Sequence, residues 1–435
     1  MAEIAHQDRL DSIRMLTSVV RDGKSLGDLL RQRQQHLDAR EAARLQALTF
    51  GTIRWSLRLD AIVDQLLKKP LRNKDTDVKV LLWQALYEIL YMRTPDYAVV
   101  SSYATLTKKL RKMWAKGLVN ASLREFLRSQ NDLLARVDAN PVTRHSVPAW
   151  LHDQIVDDWA DHATAVLAAG NVQAPLVLRV NQRQVSRDDY AAALQDSGLE
   201  VSRPALGQHS LIVHGGARVD ALPGYEAGHF SVQDSAAQLA AELVQPGAGE
   251  RVLDACAAPG GKTGHLLEIA PDIELVAIDS DADRLQTTRD NLQRLNLSAQ
   301  LICVDAADTD AWWDGRAFDA VLLDAPCSAL GVLRRHPDIR QLRRAGDIAG
   351  LMAQQRRLLD KLWAVVAPGG RLIYATCSIV KRENEAAIAE FLGRSADAVE
   401  VVIPADWGLQ GTHGRQILPG QHDSDGFYYA ILEKR

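Results

Sequence analysis

At 435 residues, 47% apolar and 24% charged, the chain is long enough for about three domains and too ordinary in composition for wholesale disorder. Its formal charge is −4, yet residues 1–140 carry 24 basic against 16 acidic side chains while residues 141–435 carry 27 against 39. A basic first third joined to an acidic remainder points to a polyanion-reading module attached to something else.

Residues 1 to about 135 read as helices. Apolar positions recur at helical spacing at Leu57, Leu59, Ile62, Val63, Leu66 and Leu67, and again at Val80, Leu81, Ala85, Leu86, Ile89 and Leu90. Pro70 and Pro95 punctuate them. Residues 1–9 lack the apolar stretch of a signal peptide. The greasiest run, residues 81–91, is interrupted by Gln84 and Glu88 and is about half the ~20 residues a bilayer demands, so it predicts a buried helix and no membrane span. A break follows at Asp138-Ala139-Asn140-Pro141. Beyond it, strands at 176–180 and 211–213 around a helix at 188–196 predict a small α+β unit over 141–235. From about 236 the rhythm alternates: strands at 252–253, 275–278, 301–304, 320–323 and 372–374, helices at 262–270, 282–295, 350–366 and 383–393. Such alternation argues an α/β domain with a doubly wound parallel sheet over 236–435.

The strongest local signal is Asp254-Ala255-Cys256-Ala257-Ala258-Pro259-Gly260-Gly261-Lys262-Thr263, between a predicted strand and a predicted helix. Glycines there let a ligand approach the backbone, and the helix start offers unpaired N–H groups. A phosphate-gripping P-loop wants glycine where Cys256 stands, which weakens that reading. A nucleoside-bearing cofactor wants a carboxylate about 20 residues on, at the end of the second strand. Asp279 stands there, 18 residues after Gly261, while Asp305 and Asp324 close the third and fourth strands. One such Asp alone reads as a helix cap or turn residue; three in series line the carboxyl edge of a sheet. The incomplete G-x-G-x-x-G and the cysteines below favour S-adenosyl-L-methionine over a nicotinamide.

The four cysteines, Cys256, Cys303, Cys327 and Cys377, form no C-x-x-C pair, so neither a zinc site nor a disulfide framework is signalled, and a reducing cytoplasm is expected. Cys303 reads as a small buried hydrophobe. Cys327, in Asp324-Ala325-Pro326-Cys327-Ser328, and Cys377, in Ala375-Thr376-Cys377-Ser378, instead sit in strand-end loops on the expected cofactor edge. A thiolate adding to carbon-6 of a pyrimidine makes carbon-5 nucleophilic enough to take a methyl group, which is nucleophilic catalysis. Asp324 is the candidate for hydrogen-bonding the activated base. Chemistry alone does not rank the two cysteines.

The segments DACAAPGGKT, DAPCS and ATCS, in this order, resemble the RNA cytosine-5 methyltransferase family in its bacterial 16S ribosomal RNA (Fmu/Sun-type) branch. The resemblance spans nearly the whole chain. Gly51-Thr52-Ile53-Arg54-Trp55, Arg93-Thr94-Pro95-Asp96-Tyr97-Ala98-Val99 and Lys116-Gly117-Leu118-Val119-Asn120-Ala121 look like its helical module, which is similar to the RNA-binding antitermination factor NusB. Leu178-Arg179-Val180-Asn181, Val232-Gln233-Asp234 and Arg334-Arg335-His336-Pro337-Asp338 also match. The resemblance implies a NusB-like all-α domain over 1–140, a ferredoxin-like unit over 141–235, and a Rossmann-like class I methyltransferase domain over 236–435. It makes Cys377 the nucleophile and Cys327 the residue that releases product. It sets Cys256, Ala257, Ala258, Pro259, Gly260, Gly261, Lys262, Asp279, Asp305 and Asp324 around S-adenosyl-L-methionine. It further implies 16S ribosomal RNA, not yet packed into the subunit, as partner of a cytoplasmic monomer that needs neither metal nor membrane. Three departures stand out: Ser101-Ser102 for the usual Asn-Glu, no proline before Glu383-Asn384-Glu385, and Val304 where glycine usually precedes Asp305. The second was expected to touch a helix start and not the thiol.

A target base must be splayed out of its RNA for carbon-6 to be reached. Two basic clusters are the expected handles: Lys108, Lys109, Arg111, Lys112 and Lys116, and Arg334, Arg335, Arg340, Arg343 and Arg344. Phosphate neutralisation by them predicts binding that weakens steeply with salt. The rival readings are a non-catalytic RNA-binding or antitermination protein, an enzyme acting on transfer RNA, and a P-loop nucleotide hydrolase.

Overall fold

The computed structural model describes residues 2–435, with side chains from residue 6 onward, so the side chains of the first five residues read above for a leader lie outside it. The chain divides into two compact units, Met1–Val172 with Leu333–Arg343, and Gln173–Val332 with Arg344–Arg435. The division falls at 172, whereas the change of character in the sequence is set at 141.

The first unit is helical. The long helices are Ala2–Asp22, Ala39–Arg54, Thr76–Tyr91, Asp96–Lys109 and Ala115–Asp138. Leu16, Leu45, Leu59, Ile62, Leu81, Leu86, Val119 and Phe126 are wholly buried between them, as the 3.6-residue spacing demands. The charge that interrupts the run 81–91 is paired inside this core: Glu88 accepts from Arg9 at 2.7 and 2.6 Å and from the Tyr103 hydroxyl at 2.7 Å. Among the described residues no helix is long and apolar enough to cross a membrane.

Residues 333–343 correct an expectation. Arg340 is buried, and its guanidinium donates to Arg54 O at 2.7 Å, Ser146 O at 3.0 Å, Asn171 Oδ1 at 2.7 Å and Gly170 O at 2.5 Å. Arg334 is buried too. Its two terminal nitrogens gather carbonyls at helix ends, so this residue holds the helical unit together and is no handle for RNA. Burial, then Arg54, brings its pKa down to about 9. Of that second cluster, Arg344 is the exposed member.

The second unit holds two sheets. Strands β1 (Leu176–Val180), β2 (Val201–Ser202), β3 (Ser210–Val213) and β4 (Phe230–Val232) form an antiparallel sheet in the order β2-β3-β1-β4, packed with helix Arg187–Asp196. The larger sheet takes β5 (Arg251–Ala255), β6 (Glu274–Asp279), β7 (Gln300–Cys303), β8 (Phe318–Asp324), β9 (Val366–Thr376), β10 (Ala398–Val401), β11 (Leu409–Gln410), β12 (Arg415–Ile417) and β13 (Phe427–Lys434). Its order is β11-β12-β13-β9-β8-β5-β6-β7, with β10 on β13; β5 to β9 run parallel and β13 is antiparallel to β9. The five expected strands and four expected helices all form. The antiparallel strands β10 to β13 have no counterpart in the sequence reading, because they follow one another without the crossover helices that betrayed the others. Cys303 is exposed, not core, because β7 is the edge strand of the sheet.

Candidate active site

The strand order reverses between β5 and β8, and open α/β sheets bind ligands outside the carboxyl ends of the strands at such a point. Every candidate residue falls on that edge. Asp254 lies in β5, Asp279 ends β6, Asp305 follows β7, Asp324 ends β8, and Cys377 follows β9. Between β5 and helix Gly261–Ile269 the chain turns sharply. Cys256 adopts a left-handed φ of 62° and Gly260 one of 89°, and a Cβ on Gly260 would come within 2.6 Å of Thr288 Cγ2. Only glycine fits there. Asp279 secures the turn from below, accepting from Ala258 N at 3.0 Å and from Asp281 N at 3.0 Å. Ala257 N donates to Ile278 O at 2.9 Å and Arg284 to Ala258 O at 2.5 Å.

The edge is rich in acceptors. Asp254 is wholly buried; its Oδ2 accepts from Thr263 Oγ1 at 2.6 Å, while Oδ1 has no partner among the described residues. Burial raises its pKa to about 7, against the pull of Thr263. Asp305 accepts from Ala307 N at 3.0 Å and from Arg357. Burial would raise its pKa, but those two donors outweigh it and hold the carboxyl below its ordinary value. Burial, followed by Asp324, Asp279, Asp254 and Asp305, pushes the Cys256 thiol far up. A strand edge bearing several acidic side chains suits a ligand carrying hydroxyl, amino and cationic groups, and repels a triphosphate.

Lys262 leaves the turn to meet Asp324: its Nζ donates to Oδ2 at 2.5 Å and lies 5.5 Å from the Phe427 ring. Burial alone would lower its pKa; Asp324, Cys377 and Asp254 together raise it, so the ammonium keeps its charge beside the thiols.

The two expected cysteines meet. Cys327 Sγ and Cys377 Sγ stand 3.5 Å apart, although 50 residues separate them in the chain. Cys327 is pushed well above an ordinary thiol, by its bond to Cys377 first and by burial second. Their loops are clamped by a residue that sequence reasoning set aside. Glu383 is wholly buried; Oε1 accepts from Ser328 N at 2.8 Å and from Gln355 Nε2 at 3.1 Å. Its Oε2 accepts from Ser328 Oγ at 2.5 Å and from Ser378 Oγ at 2.6 Å. Ser328 and Ser378 are the residues next to the two cysteines, so one carboxylate fixes both thiol loops. Asn384 adds a bond from Nδ2 to Ser378 O at 3.0 Å. The expectation that this segment bears only on a helix start is therefore corrected. The available signal was an acidic–amide pair six and seven residues after Cys377, ahead of helix Glu385–Arg394.

Arg179, another residue singled out only by motif, joins the small sheet to the cofactor turn. Fully buried, it donates to both Glu268 oxygens at 2.8 and 2.7 Å, to Gln233 Oε1 at 2.6 Å and to Gly261 O at 2.6 Å.

Comparison with known proteins bears on this arrangement. The family described as 16S rRNA methyltransferase RsmB/F matches residues 241–433, the NusB family residues 6–128, and the RsmF/B-like ferredoxin-like domain residues 147–220. The ribosomal RNA small subunit methyltransferase B of Pseudomonas putida is 45% identical over 98% of each chain. The chain belongs to the RsmB/F methyltransferase family. The Vibrio cholerae relative of the same name is 43% identical, over 97% of this chain and 96% of its own. Among solved structures, that of PH0851 covers 98% of this chain and 99% of its own, with a TM-score of 0.81 at 24% identity, which shows a shared fold. A methyltransferase homolog from Pyrococcus horikoshii covers 68% of this chain and 97% of its own, with a TM-score of 0.60 at 27% identity. The RsmB/F chain is thus a methyltransferase built of a NusB domain, a ferredoxin-like domain and a Rossmann-like catalytic domain.

Proposed function

We propose that this RsmB/F methyltransferase modifies carbon-5 of a cytosine in 16S ribosomal RNA, with Cys377 as nucleophile and S-adenosyl-L-methionine as methyl donor. The observation that carries the reading is the pair of thiols 3.5 Å apart beside the Lys262–Asp324 ion pair. A methyltransferase acting on nitrogen or oxygen has no use for two sulfurs there; carbon-5 of a pyrimidine needs one to be activated and gains from a second when the product is released. The names of the relatives favour small-subunit ribosomal RNA over transfer RNA.

The acceptor-rich edge fits the donor. Asp279 and Asp305 would take ribose hydroxyl and adenine amino hydrogens, the residues from Cys256 to Gly261 would lie along it, and the carboxylate of Asp324 favours its positive charge. When bound, it supplies an electrophilic methyl group. The rest belongs to the chain. Cys377, as thiolate, adds to carbon-6 and moves electron density onto carbon-5. Asp324 and Lys262 hydrogen-bond the polar edge of the ring and hold its developing charge. Once carbon-5 carries the methyl group, it must lose its proton and carbon-6 its sulfur for aromaticity to return. The carbon-5 proton passes to solvent as the carbon-6–sulfur bond breaks and Cys377 leaves as thiolate; Cys327, whose sulfur stands 3.5 Å from that of Cys377, is the residue that assists this departure. Burial of Glu383 holds the two sulfurs in this relation throughout.

The same reading takes RNA not yet packed into the subunit as substrate of a cytoplasmic enzyme, because a flipped cytosine must reach a thiol in a strand-end loop. Bisulfite sequencing of ribosomal RNA from cells lacking the protein tests it. One small-subunit cytosine should become unmodified and regain modification when the gene is restored; an unchanged pattern contradicts the reading.

A further inference from the structure

We propose that the turn joining helices Asp96–Lys109 and Ala115–Asp138 is a docking surface for single-stranded RNA, with Trp114 and Met113 as its stacking platform. The inference rests on the reading that RNA is the substrate and adds where, outside the catalytic edge, a strand is held.

Trp114 is 55% exposed and Met113 beside it 59%, although the next residue, Ala115, is wholly buried. A tryptophan left in water at a tight turn forgoes a burial that its neighbours obtain. Among the described residues Trp114 stacks on no ring and underlies no cation, whereas Trp55 stacks on Tyr91 and Trp83 lies under Lys79. The turn that presents it is tied by hydrogen bonds. Arg111 takes a left-handed φ of 60°, Lys112 N donates to Thr107 O at 2.8 Å, and Ala115 N to Lys112 O at 2.9 Å. The Lys112 ammonium fastens the turn from the side, to Lys74 O at 2.9 Å and Asp75 Oδ1 at 2.8 Å. Lys112 is therefore structural, which removes it from the expected RNA handles. Lys108, Lys109, Arg111 and Lys116, all within six residues of Trp114 in the chain, remain exposed.

Charge names the partner. In the chain no acidic residue occurs between Asp96 and Glu125, while six basic ones do; Asp75 and Asp77, which the fold brings to the turn, are engaged by Lys112. Exposed apolar side chains on a turn rich in exposed cations match a strand that alternates flat bases with phosphates. Preformed geometry means that little ordering entropy is lost on docking.

The test uses the full chain and protein-free 16S RNA, with retention on filters at several salt concentrations and steady-state methylation in parallel. Trp114→Ala, melting as the wild type does, should weaken binding about ten- to a hundredfold and raise the KM for RNA in step, with kcat unchanged. Trp114→Phe should restore most of the loss, which a merely structural role would not require. Replacing Lys108, Lys109 and Arg111 by Gln should flatten the dependence of log affinity on log salt by about 2. Wild-type affinity and KM in Trp114→Ala would overturn the proposal. So would unchanged RNA binding together with a lost affinity for poly-glutamate, which would assign the surface to an acidic protein. If the wild type binds 16S RNA yet modifies no cytosine, the catalytic reading fails while the ratio of binding affinities still decides this one.

Discussion

Lys262 and Asp324 are 62 residues apart in sequence and form a 2.5 Å ion pair on the catalytic edge, with the lysine 12% and the aspartate 30% exposed at the side chain. The pair joins the turn that would hold the methyl donor to the strand end that would hold the base. Lys262→Met should lower kcat by about 10²–10³, the scale of losing one oriented charge at a developing anion, while methyl-donor binding measured by calorimetry changes less. Equal losses in binding and turnover would make Lys262 a cofactor ligand alone.

Glu383 is predicted to act on both thiols from a distance. Glu383→Ala removes the buried acceptor of Ser328 N and of the Ser328 and Ser378 hydroxyls, each donor left unpaired costing about 1–3 kcal/mol, and should lower the melting temperature markedly. Glu383→Gln is the more telling variant. It should fold, yet change the relative rates at which iodoacetamide alkylates Cys327 and Cys377, and lower kcat in parallel. Alkylation rates identical to wild type would remove Glu383 from the site.

Arg179 and Glu268 offer a test of the bridge between the small sheet and the cofactor turn. Breaking one partner of a buried pair costs about 3–5 kcal/mol, whereas replacing both by apolar residues is often neutral. Arg179→Met should therefore destabilise strongly in urea unfolding, and Arg179→Met with Glu268→Leu should recover part of the loss. Additive losses would show that the guanidinium acts mainly through Gln233 and the Gly261 carbonyl.

Much of this geometry was legible in the chain. The segment from Asp254 to Thr263 declares itself because its glycines interrupt a strand–helix junction, and Cys327 and Cys377 declare themselves because each follows a strand. That they meet follows from β8 and β9 being neighbours in the sheet. The Glu383 clamp was not legible. Its partner Ser328 lies 55 residues away, and an acidic residue before a helix has a sufficient local explanation as a cap. Arg340 misled for the opposite reason: a basic run looks solvated until the carbonyls of Arg54, Ser146 and Gly170 are brought to it by the fold. Strand β13 was silent because buried antiparallel strands lack both polar alternation and a following helix.

Asp254 makes a pH prediction. Its native pKa, raised by burial to about 7, lies above the unfolded value near 4, so the folded chain holds the proton longer. The favourable contribution is complete below the unfolded value and is lost as pH rises through about 7. Asp254→Asn should thus gain melting temperature relative to wild type at pH 8 and gain less at pH 5. A gain independent of pH would indicate repacking instead of a lost buried charge.

The most direct test of the account concerns the two sulfurs. Full-length wild type, Cys377→Ala and Cys327→Ala are each incubated with 16S RNA and methyl donor, denatured, and resolved for protein that remains attached to RNA. Cys377→Ala should transfer no methyl and leave no adduct, whereas Cys327→Ala should accumulate an adduct that survives denaturation. Undiminished methylation by Cys377→Ala would contradict the account.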